Sequence, residues 1–314
     1  MGKRVGVLMG GPSAEKTISI KSGMAVCRAL ESTGIDVVPI ELRDASTMNG
    51  YREQVIKDIR SSGIEVAFVA LHGRFGEDGE IQEILEYMKM PYTGSKTSAS
   101  RLGMDKISSR AIFESRHIPV PRSTIINKAD LDKYHDAQVY FKELGLPLVV
   151  KPSCEGSSIG LSIIDSGADF HVAASEAFRY SDKAIVEEYV RGREITVGIL
   201  EEKVLPIVEI VPKKRFFDFE AKYSKLLTEY KVPAEIPEKK YRECQATGLE
   251  AHQALGARFF SRVDMILSEK GVPVVLEVNT IPGLTETSLL PKAALAAGID
   301  FKKLILKILE STLW

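Results

Sequence analysis

Cysteine is scarce in this chain. The three cysteines, Cys27, Cys154 and Cys244, are odd in number, lie far apart and form no CxxC pair. This pattern argues against a disulfide framework and against a thiolate metal site. We therefore expect reduced thiols, as in a cytoplasmic protein.

An excess of charge of either sign is also absent. The 42 Lys and Arg residues nearly balance the 43 Asp and Glu residues, which leaves a net charge of -1. Interleaved charges give no basic footprint for nucleic acid or for an anionic membrane. No apolar run approaches the length of a membrane span, and the apolar stretch near residue 5 is too short for a signal-peptide core. We expect small-molecule substrates, no nucleic-acid or membrane partner, and a cytoplasmic location.

The usual nucleotide-binding signatures are missing as well. The chain contains no GxxxxGK[ST], no GxGxxG after its first apolar strand and no kinase catalytic loop. It does contain "VKPSCEGSSIG" at 150–160, where an apolar run ends at Lys151 and a loop of small residues follows. The ammonium of Lys151, and backbone N–H groups that a ligand can approach closely because the loop residues are small, would suit a phosphate group. Taken alone, the loop is equally compatible with a strand-turn-strand hairpin that carries a surface lysine.

The first hundred residues alternate between apolar runs and helical patterns. Apolar runs at 4–9, 36–42 and 65–71 are separated by helical stretches near 19–33 and 51–62. This alternation predicts an open, parallel α/β sheet. Ligands of such sheets meet the loops that follow the strands, here 10–15 and 72–79.

The remaining two thirds predict mixed α and β structure, and 314 residues suit two or three domains that share a cleft. Helices are predicted at 104–117, 137–145 and 239–257, and strands at 184–189, 192–200, 204–210, 260–268 and 272–279. An amphipathic closing helix follows Asp300, a suitable N-cap. Between 211 and 237 no period is sustained, which predicts a structureless lid; Phe216, Phe217, Phe219 and Tyr223 disfavour disorder there.

Two predicted strands near the C-terminus carry polar residues at alternate positions. In "RVDMIL", Arg262 and Asp264 share one face, and in "VVLEVN", Glu277 and Asn279 share one face. The tight connection "SEKG" between them predicts a hairpin in which Asp264 lies within about one residue of Glu277. Two carboxylates and an amide oxygen suit Mg²⁺ that also binds substrate phosphates. The alternative is a solvated sheet face with a cross-strand Arg–Glu pair.

At this point the motifs resemble a known family. "GGPSAEKTIS", "LHGRFGEDG", "PYTGS…GMDK", "VKPSCEGSSIG", "EEYVRGREITVG", "FDFEAKY", "RVDMIL" and "LEVNTIPGLTETSLLP" stand in an order and spacing similar to those of the D-alanine–D-alanine ligase family of ATP-grasp enzymes. They span nearly the whole chain. The resemblance implies an α/β, three-domain ATP-grasp architecture: an N-terminal α/β domain at 1–103, a central subdomain at 104–188 and a C-terminal domain at 189–314 that carries the lid.

The resemblance also assigns the nucleotide and metal residues. Lys106 and Lys151 would contact the α and β phosphates of ATP, and Lys222 in the lid would close on the γ-phosphate. The adenine would lie against Glu187, Glu188 and Val190, and the ribose hydroxyls against Glu194. The Mg²⁺ ligands would be Asp264, Glu277 and Asn279, in agreement with the strand argument.

The amino-acid site follows in the same way. Glu15 would bind the ammonium of the first D-alanine, and Ser157 and Tyr223 would link flap, lid and first domain. Arg262 and the N–H of Gly283 would stabilise the tetrahedral oxyanion. Ser288 and Leu289 would receive the carboxylate of the second substrate. His72 and Glu77 also match, although a lone His after a strand is more often structural, and Glu15 with Ser13 could simply cap a helix.

The activity implied is ATP-dependent joining of two D-alanines through an acyl phosphate, with release of ADP and phosphate, in peptidoglycan precursor synthesis. ATP is the co-substrate, with two Mg²⁺ ions for which Mn²⁺ can substitute, a monovalent cation as a candidate activator, and a homodimer as the assembly. Tyr223 favours the dipeptide, since relatives that make an ester commonly carry Phe there. Phe217, Phe219 and Cys154 depart from the common pattern.

Two rival functions stay open. One is an ATP-grasp ligase with another second substrate, such as D-lactate or D-serine. The other is a nucleotide-binding module without turnover. The argument against it is that every charged position that matches the family pattern is occupied in this chain.

Overall fold

The structure, a computed structural model, describes residues 3–43, 48–133, 138–212 and 228–313. Its first sheet is parallel with the order β2-β1-β3. The strands are β1 (Val5–Gly10), β2 (Val37–Leu42) and β3 (Val66–Val69). They coincide with the three predicted apolar runs, and the predicted open α/β sheet is confirmed.

Helices pack on both faces of this sheet. They are α1 (Lys16–Glu31), α2 (Met48–Ser61) and α3 (Glu80–Tyr87). The next helix, α4 (Thr97–Met104), packs against α3 and against elements that come later in the chain. Val26 and Leu30 of α1 pack in one core with Val5 and Val7 of β1, whereas Leu8 packs with residues of α2 in a second core. Burial on both faces explains why the strands are continuous apolar runs.

A second, antiparallel sheet follows in the order β4-β7-β5-β6. Its strands are β4 (Ser123–Asn127), β5 (Leu148–Pro152), β6 (Ser162–Ile164) and β7 (Lys183–Glu188). The helices α6 (Gln138–Leu144) and α7 (Phe170–Ala177) cover one face of it. This sheet presents Lys151 and Glu187 on the opposite face.

The helix α5 (Lys106–Ser115) precedes this sheet and packs elsewhere. Asp105 caps it, since its carboxylate accepts the N–H of Ile107 at 3.0 Å. Phe113 is buried in the core of the third sheet, described next. The predicted domain limits at 103 and 188 stay a prediction.

The third sheet has the order β11-β10-β8-β12-β13, with β9 paired to β8. Its strands are β8 (Gly192–Leu200), β9 (Lys203–Val204), β10 (Val208–Pro212), β11 (Thr228–Lys231), β12 (Phe260–Ser268) and β13 (Pro273–Asn279). The helix α8 (Glu238–Ala254) packs on it. There Gly248 lies so close to β8 that a Cβ would approach the side chain of Val197 to 2.9 Å.

Two predictions for this region were wrong. The strand expected at 204–210 is divided into β9 and β10, because Pro206 between them has no N–H to donate. The segment expected to be structureless at 211–237 includes the end of β10 and all of β11, which pair antiparallel from Glu209↔Lys231 to Pro212↔Thr228. Residues 213–227, with Lys222, Tyr223 and the lid phenylalanines, lie outside the described residues.

The chain returns to the first sheet through α9 (Leu289–Ala296) and α10 (Phe301–Glu310). Leu304 and Ile308 of α10 are buried in the core that contains Val5 of β1. The predicted N-cap is confirmed, since the Asp300 carboxylate accepts the N–H of Lys303 at 2.8 Å. None of the helices in the described ranges is long and apolar enough to cross a membrane.

Candidate active site

Two cavities meet where the three sheets converge. The first, of about 390 Å³, lies between the second and third sheets, and the second, of about 640 Å³, lies between the first and third sheets. Glu277 of β13 lines both cavities. A group bound in one cavity can therefore reach a group bound in the other beside this carboxylate.

The first cavity brings together the described nucleotide residues predicted from the sequence. Its wall includes Lys106, Lys151, Glu187, Glu188, Val190 and Glu194, together with Asp264 and Glu277. Lys222 lies outside the described residues. The wall also includes the apolar side chains of Val149, Ile163 and Leu276. A wall with both charged and apolar side chains suits a ligand that has a flat apolar part and an anionic part.

The two lysines of this cavity are held by carboxylates. Lys151 is buried, and its Nζ lies 2.8 Å from Glu187 Oε2. Lys106 Nζ lies 3.1 Å from Glu277 Oε2 and donates to the carbonyl oxygen of Glu155 at 2.6 Å. Burial is the largest influence and would lower the pKa of Lys106, but the charge and the hydrogen bond of Glu277, with smaller contributions from other nearby groups, together raise it. Both ammonium groups therefore have a carboxylate partner in the cavity wall.

The loop after Lys151 closes over the second cavity. Ser157 and Ser158 adopt positive φ angles of 51° and 60°, a left-handed conformation that is uncommon for residues other than glycine. The Ser157 hydroxyl donates to the carboxylate of Glu15, which follows β1 of the first sheet. A Cβ at Gly156 would approach the same carboxylate to 3.0 Å, so the loop needs a small residue at this contact.

The hairpin β12–β13 has the predicted register. Asp264 lies directly opposite Glu277, and Arg262 opposite Asn279. Asp264 accepts two hydrogen bonds from Arg262, at 2.8 and 2.7 Å, and a third from Asn279 Nδ2 at 3.1 Å. Within the part of the chain that the structure describes, no three or more His, Cys, Asp or Glu side chains form a metal-holding group; the predicted trio has two carboxylates and one amide.

One end of the second cavity is acidic. Glu15, which follows β1, is buried there with His72, which follows β3, and the half-buried Glu77 lies beside them. Glu77 accepts the N–H groups of Gly73 at 2.9 Å and Ile281 at 3.1 Å. Burial, with a further contribution from Glu15, raises the pKa of Glu77 to about 8.

His72 is neutral, and its tautomer follows from its partners. Its Nδ1 lies 3.0 Å from the carbonyl oxygen of Ile281, which can only accept, so Nδ1 carries the hydrogen. Nε2 then accepts from the Ser22 hydroxyl at 2.9 Å. Burial lowers the pKa of His72 although Glu15 opposes this. His72 therefore ties the first sheet to the segment after β13.

The other end of the second cavity is the start of α9. Ser288 is the N-cap residue, and its Oγ accepts the N–H of Thr285 at 3.1 Å. A Cβ at Gly283 would approach Ser288 Oγ to 2.9 Å, which explains the glycine. Gly283, Ser288 and Leu289 thus lie together, as predicted, at a helix terminus that favours an anion.

Several lining residues were missed from the sequence. Lys21, Thr228, Tyr230 and Lys292 line the second cavity, and Arg193 and Glu209 line the first. The spacing of Lys292, four residues after Ser288 on a helix, could have indicated it. Tyr230 could not be found, because β11 was not predicted; its ring centroid lies 5.2 Å from Lys292 Nζ.

A nucleotide-sized cavity enclosed between two mixed α/β units, with lysines on one wall and paired carboxylates on another, defines the ATP-grasp class of enzymes. Residues 112–310 match the family model "D-ala D-ala ligase C-terminus", and residues 43–95 match "D-ala D-ala ligase N-terminus". The chain belongs to the D-alanine–D-alanine ligase family.

Individual relatives agree with this assignment. The D-alanine–D-alanine ligase of Geotalea uraniireducens (strain Rf4) is 45% identical over 309 residues, which cover 98% of this chain and 95% of that protein. The crystal structure of the Bacillus anthracis ligase complexed with ATP is 34% identical, with a TM-score of 0.84 and coverage of 99% and 97%. The VanG D-Ala:D-Ser ligase from Enterococcus faecalis is 27% identical, with a TM-score of 0.82 and coverage of 99% and 100%.

Proposed function

We propose that this protein joins two D-alanine molecules to D-alanyl-D-alanine, consuming ATP and releasing ADP and phosphate, as a step in peptidoglycan precursor synthesis. The observation that carries the proposal is that the nucleotide cavity and the amino-acid cavity meet at Glu277. Family membership supplies the identity of the substrates.

The chemistry requires this juxtaposition. A carboxylate is a poor electrophile because its charge repels an attacking amine. In the proposed reaction an oxygen of the first D-alanine carboxylate attacks the γ-phosphorus of ATP, the bond to the β-phosphate oxygen breaks, and an acyl phosphate forms. Lys106 and Lys151 neutralise the phosphates, since phosphoryl transfer depends mainly on positioning and charge. Lys222, beyond the described residues, is the proposed contact to the γ-phosphate.

The second step forms the peptide bond. The second D-alanine binds as a zwitterion, and its ammonium must first lose a proton to solvent. The neutral amine then attacks the acyl carbon, and phosphate leaves from the tetrahedral intermediate and takes up the second proton that the nitrogen loses. We assign the stabilisation of the oxyanion to Arg262 and the N–H of Gly283, both of which line the amino-acid cavity. The water-sensitive acyl phosphate must be enclosed, and the contact between Ser157 and Glu15 seals one side of the site.

The charge distribution of the amino-acid cavity orients both substrates. We assign the ammonium of the first D-alanine to the acidic end, at Glu15. The carboxylate of the second belongs at the start of α9, with Ser288 and Leu289, where Lys292 and Lys21 add positive charge. The two D-alanine zwitterions then lie head to tail, with the carboxylate of the first D-alanine beside Glu277.

Asp264, Glu277 and Asn279 fit a Mg²⁺ ion by the chemistry of their oxygen atoms. The two carboxylates face each other across the hairpin, and cationic side chains, Arg262 and Lys106, neutralise them. Hard oxygen ligands that leave coordination positions for phosphate oxygens suit Mg²⁺. When bound, the ion would offset phosphate charge during transfer. Two ions, a monovalent activator, a homodimer and a cytoplasmic location stay predictions from the resemblance.

The test measures ADP release by the purified protein with Mg²⁺-ATP. D-alanine, L-alanine, D-alanine plus D-lactate, and D-alanine plus D-serine are compared, and the products are identified by mass. D-serine is included because one structural relative is a D-Ala:D-Ser ligase. We expect turnover on D-alanine alone, with the dipeptide as product. ATP binding without turnover on any pair would contradict the proposal and favour a binding module.

A further inference from the structure

Glu187 lies between two cations, of which only one was predicted. Its Oε2 lies 2.8 Å from Lys151 Nζ, and its Oε1 lies 3.3 Å from Arg110 Nη1. All three side chains are nearly buried, with exposed fractions of 6% for Glu187, 8% for Lys151 and 12% for Arg110. Each carboxylate oxygen therefore has its own cationic partner in a poorly hydrated place.

The two cations differ in their access to the cavity. Lys151 and Glu187 are neighbours on one face of the second sheet, because Lys151 pairs with Ile185, two residues before Glu187. Both line the nucleotide cavity, whereas Arg110 is not part of its wall. Arg110 approaches Glu187 from α5, one turn after Lys106. Arg110 thus contacts Glu187 without lining the cavity.

This arrangement solves a charge problem that ATP binding creates. When the Lys151 ammonium contacts a phosphate, its ion pair with Glu187 weakens, or the ammonium is shared between the phosphate and Glu187. A buried carboxylate that loses its only cation is strongly destabilised, and it would also repel the triphosphate. Arg110 does not line the cavity, so its pair with Glu187 can persist in either case.

We propose that Arg110 is a positioning residue that neutralises Glu187 and so leaves Lys151 available for the phosphates of ATP. The inference rests on the proposed placement of ATP in the first cavity. Arg110 also pairs with Glu114, at 3.1 Å on the same helix, but that carboxylate is 56% exposed. A Glu114 variant is therefore a control, since it removes only the ion pair that Arg110 makes within its own helix.

The first experiment measures the dissociation constant of Mg²⁺-ATP by calorimetry, with kcat and KM for ATP measured in parallel. We expect Arg110→Gln to weaken ATP binding about tenfold, the effect of one charged hydrogen bond. The kcat at saturating ATP should change much less, because Arg110 does not touch the reacting atoms. Arg110→Lys should retain most of the affinity, and Glu114→Gln should leave it unchanged.

A double-mutant cycle with Glu187→Gln separates positioning from a merely structural role. If Arg110 acts by neutralising Glu187, the loss caused by Arg110→Gln should largely disappear when residue 187 is uncharged. An equal loss in both backgrounds would overturn the inference. If Arg110→Gln does not fold, Arg110→Lys gives the same cycle at smaller amplitude.

The failure of this inference is distinguishable from the failure of the proposed function. ATP binding by the unsubstituted protein together with unchanged affinity in Arg110→Gln would overturn the inference alone. Absence of ATP binding by the unsubstituted protein would overturn both.

Discussion

At the residue scale, the site depends on side chains whose charges are matched before substrate binds. Glu277 is opposed by Asp264 across the hairpin and paired with Lys106 at 3.1 Å. It is also the residue that lines both cavities. Its charge, rather than its volume, is what the proposed chemistry uses.

We predict that Glu277→Gln lowers kcat by roughly 100- to 1,000-fold, the cost of losing one preorganised charge contact. The substitution keeps the size of the side chain, so circular dichroism and the melting temperature should stay close to those of the unsubstituted protein. Glu269→Gln, an exposed change in the turn of the same hairpin, is the matched control. Unchanged turnover in Glu277→Gln would remove Glu277 from the metal site.

At the element scale, the C-terminal helix α10 connects the ends of the chain. Its apolar face packs in one core with β1 and α1, and Asp300 caps its first turn. The cap satisfies an N–H group that the helix leaves without a partner. A loss of this bond should therefore affect stability, whereas Asp300 is not among the residues that line either cavity of the site.

We predict that Asp300→Ala reduces the free energy of unfolding by about 1 kcal/mol, the usual effect of removing an N-cap. Chemical denaturation would measure it, with kcat for dipeptide synthesis as the check on the site. Asp300→Asn preserves the cap and should differ from the unsubstituted protein by less than half of that amount. Equal stability of the Ala and Asn variants would mean that the cap does not contribute.

At the scale of the whole molecule, buried titratable groups make stability depend on pH. His252 is fully buried between Ser261, whose Oγ lies 2.7 Å from Nδ1, and Glu202, whose Oε2 lies 3.3 Å from Nε2. Burial lowers the pKa of His252 below its usual 6.5, although Glu202 opposes the shift. His72 is shifted in the same direction, and Glu77 in the opposite one.

The direction in which His252 makes stability change with pH follows from the linkage between protonation and folding. Above pH 6.5 the imidazole is neutral in both the folded and the unfolded chain. Below pH 6.5 the unfolded chain takes up a proton that the folded chain resists, so stability is lost as pH falls. The pKa shifts of His72 and Glu77 have opposite effects on how the free energy of unfolding depends on pH. The contribution of His252 must therefore be measured as a difference between the unsubstituted protein and a His252 variant.

We predict that the stability advantage of the unsubstituted protein over His252→Gln shrinks between pH 7 and pH 5. The loss should amount to at most about 1.4 kcal/mol per pH unit, the value for one proton. Urea denaturation at several pH values measures this difference. A constant difference across the range would show that His252 does not titrate abnormally.

The sequence by itself determined several of the elements and the most local part of the site. The first sheet, the closing helix and the register of Asp264 opposite Glu277 could be predicted, because each depends on a short period or a tight turn. The assignment of the ATP and D-alanine residues came from the resemblance, and their roles stay proposals.

Only the tertiary structure decided which distant residues meet. Strand β11 pairs with β10, and its four residues are too few for their period to indicate a strand in the sequence. Arg110 reaches Glu187 across 77 residues of sequence, and Glu15 reaches Ser157 across 142. Such contacts are fixed by how three sheets pack around two cavities, and no local periodicity in the chain encodes them.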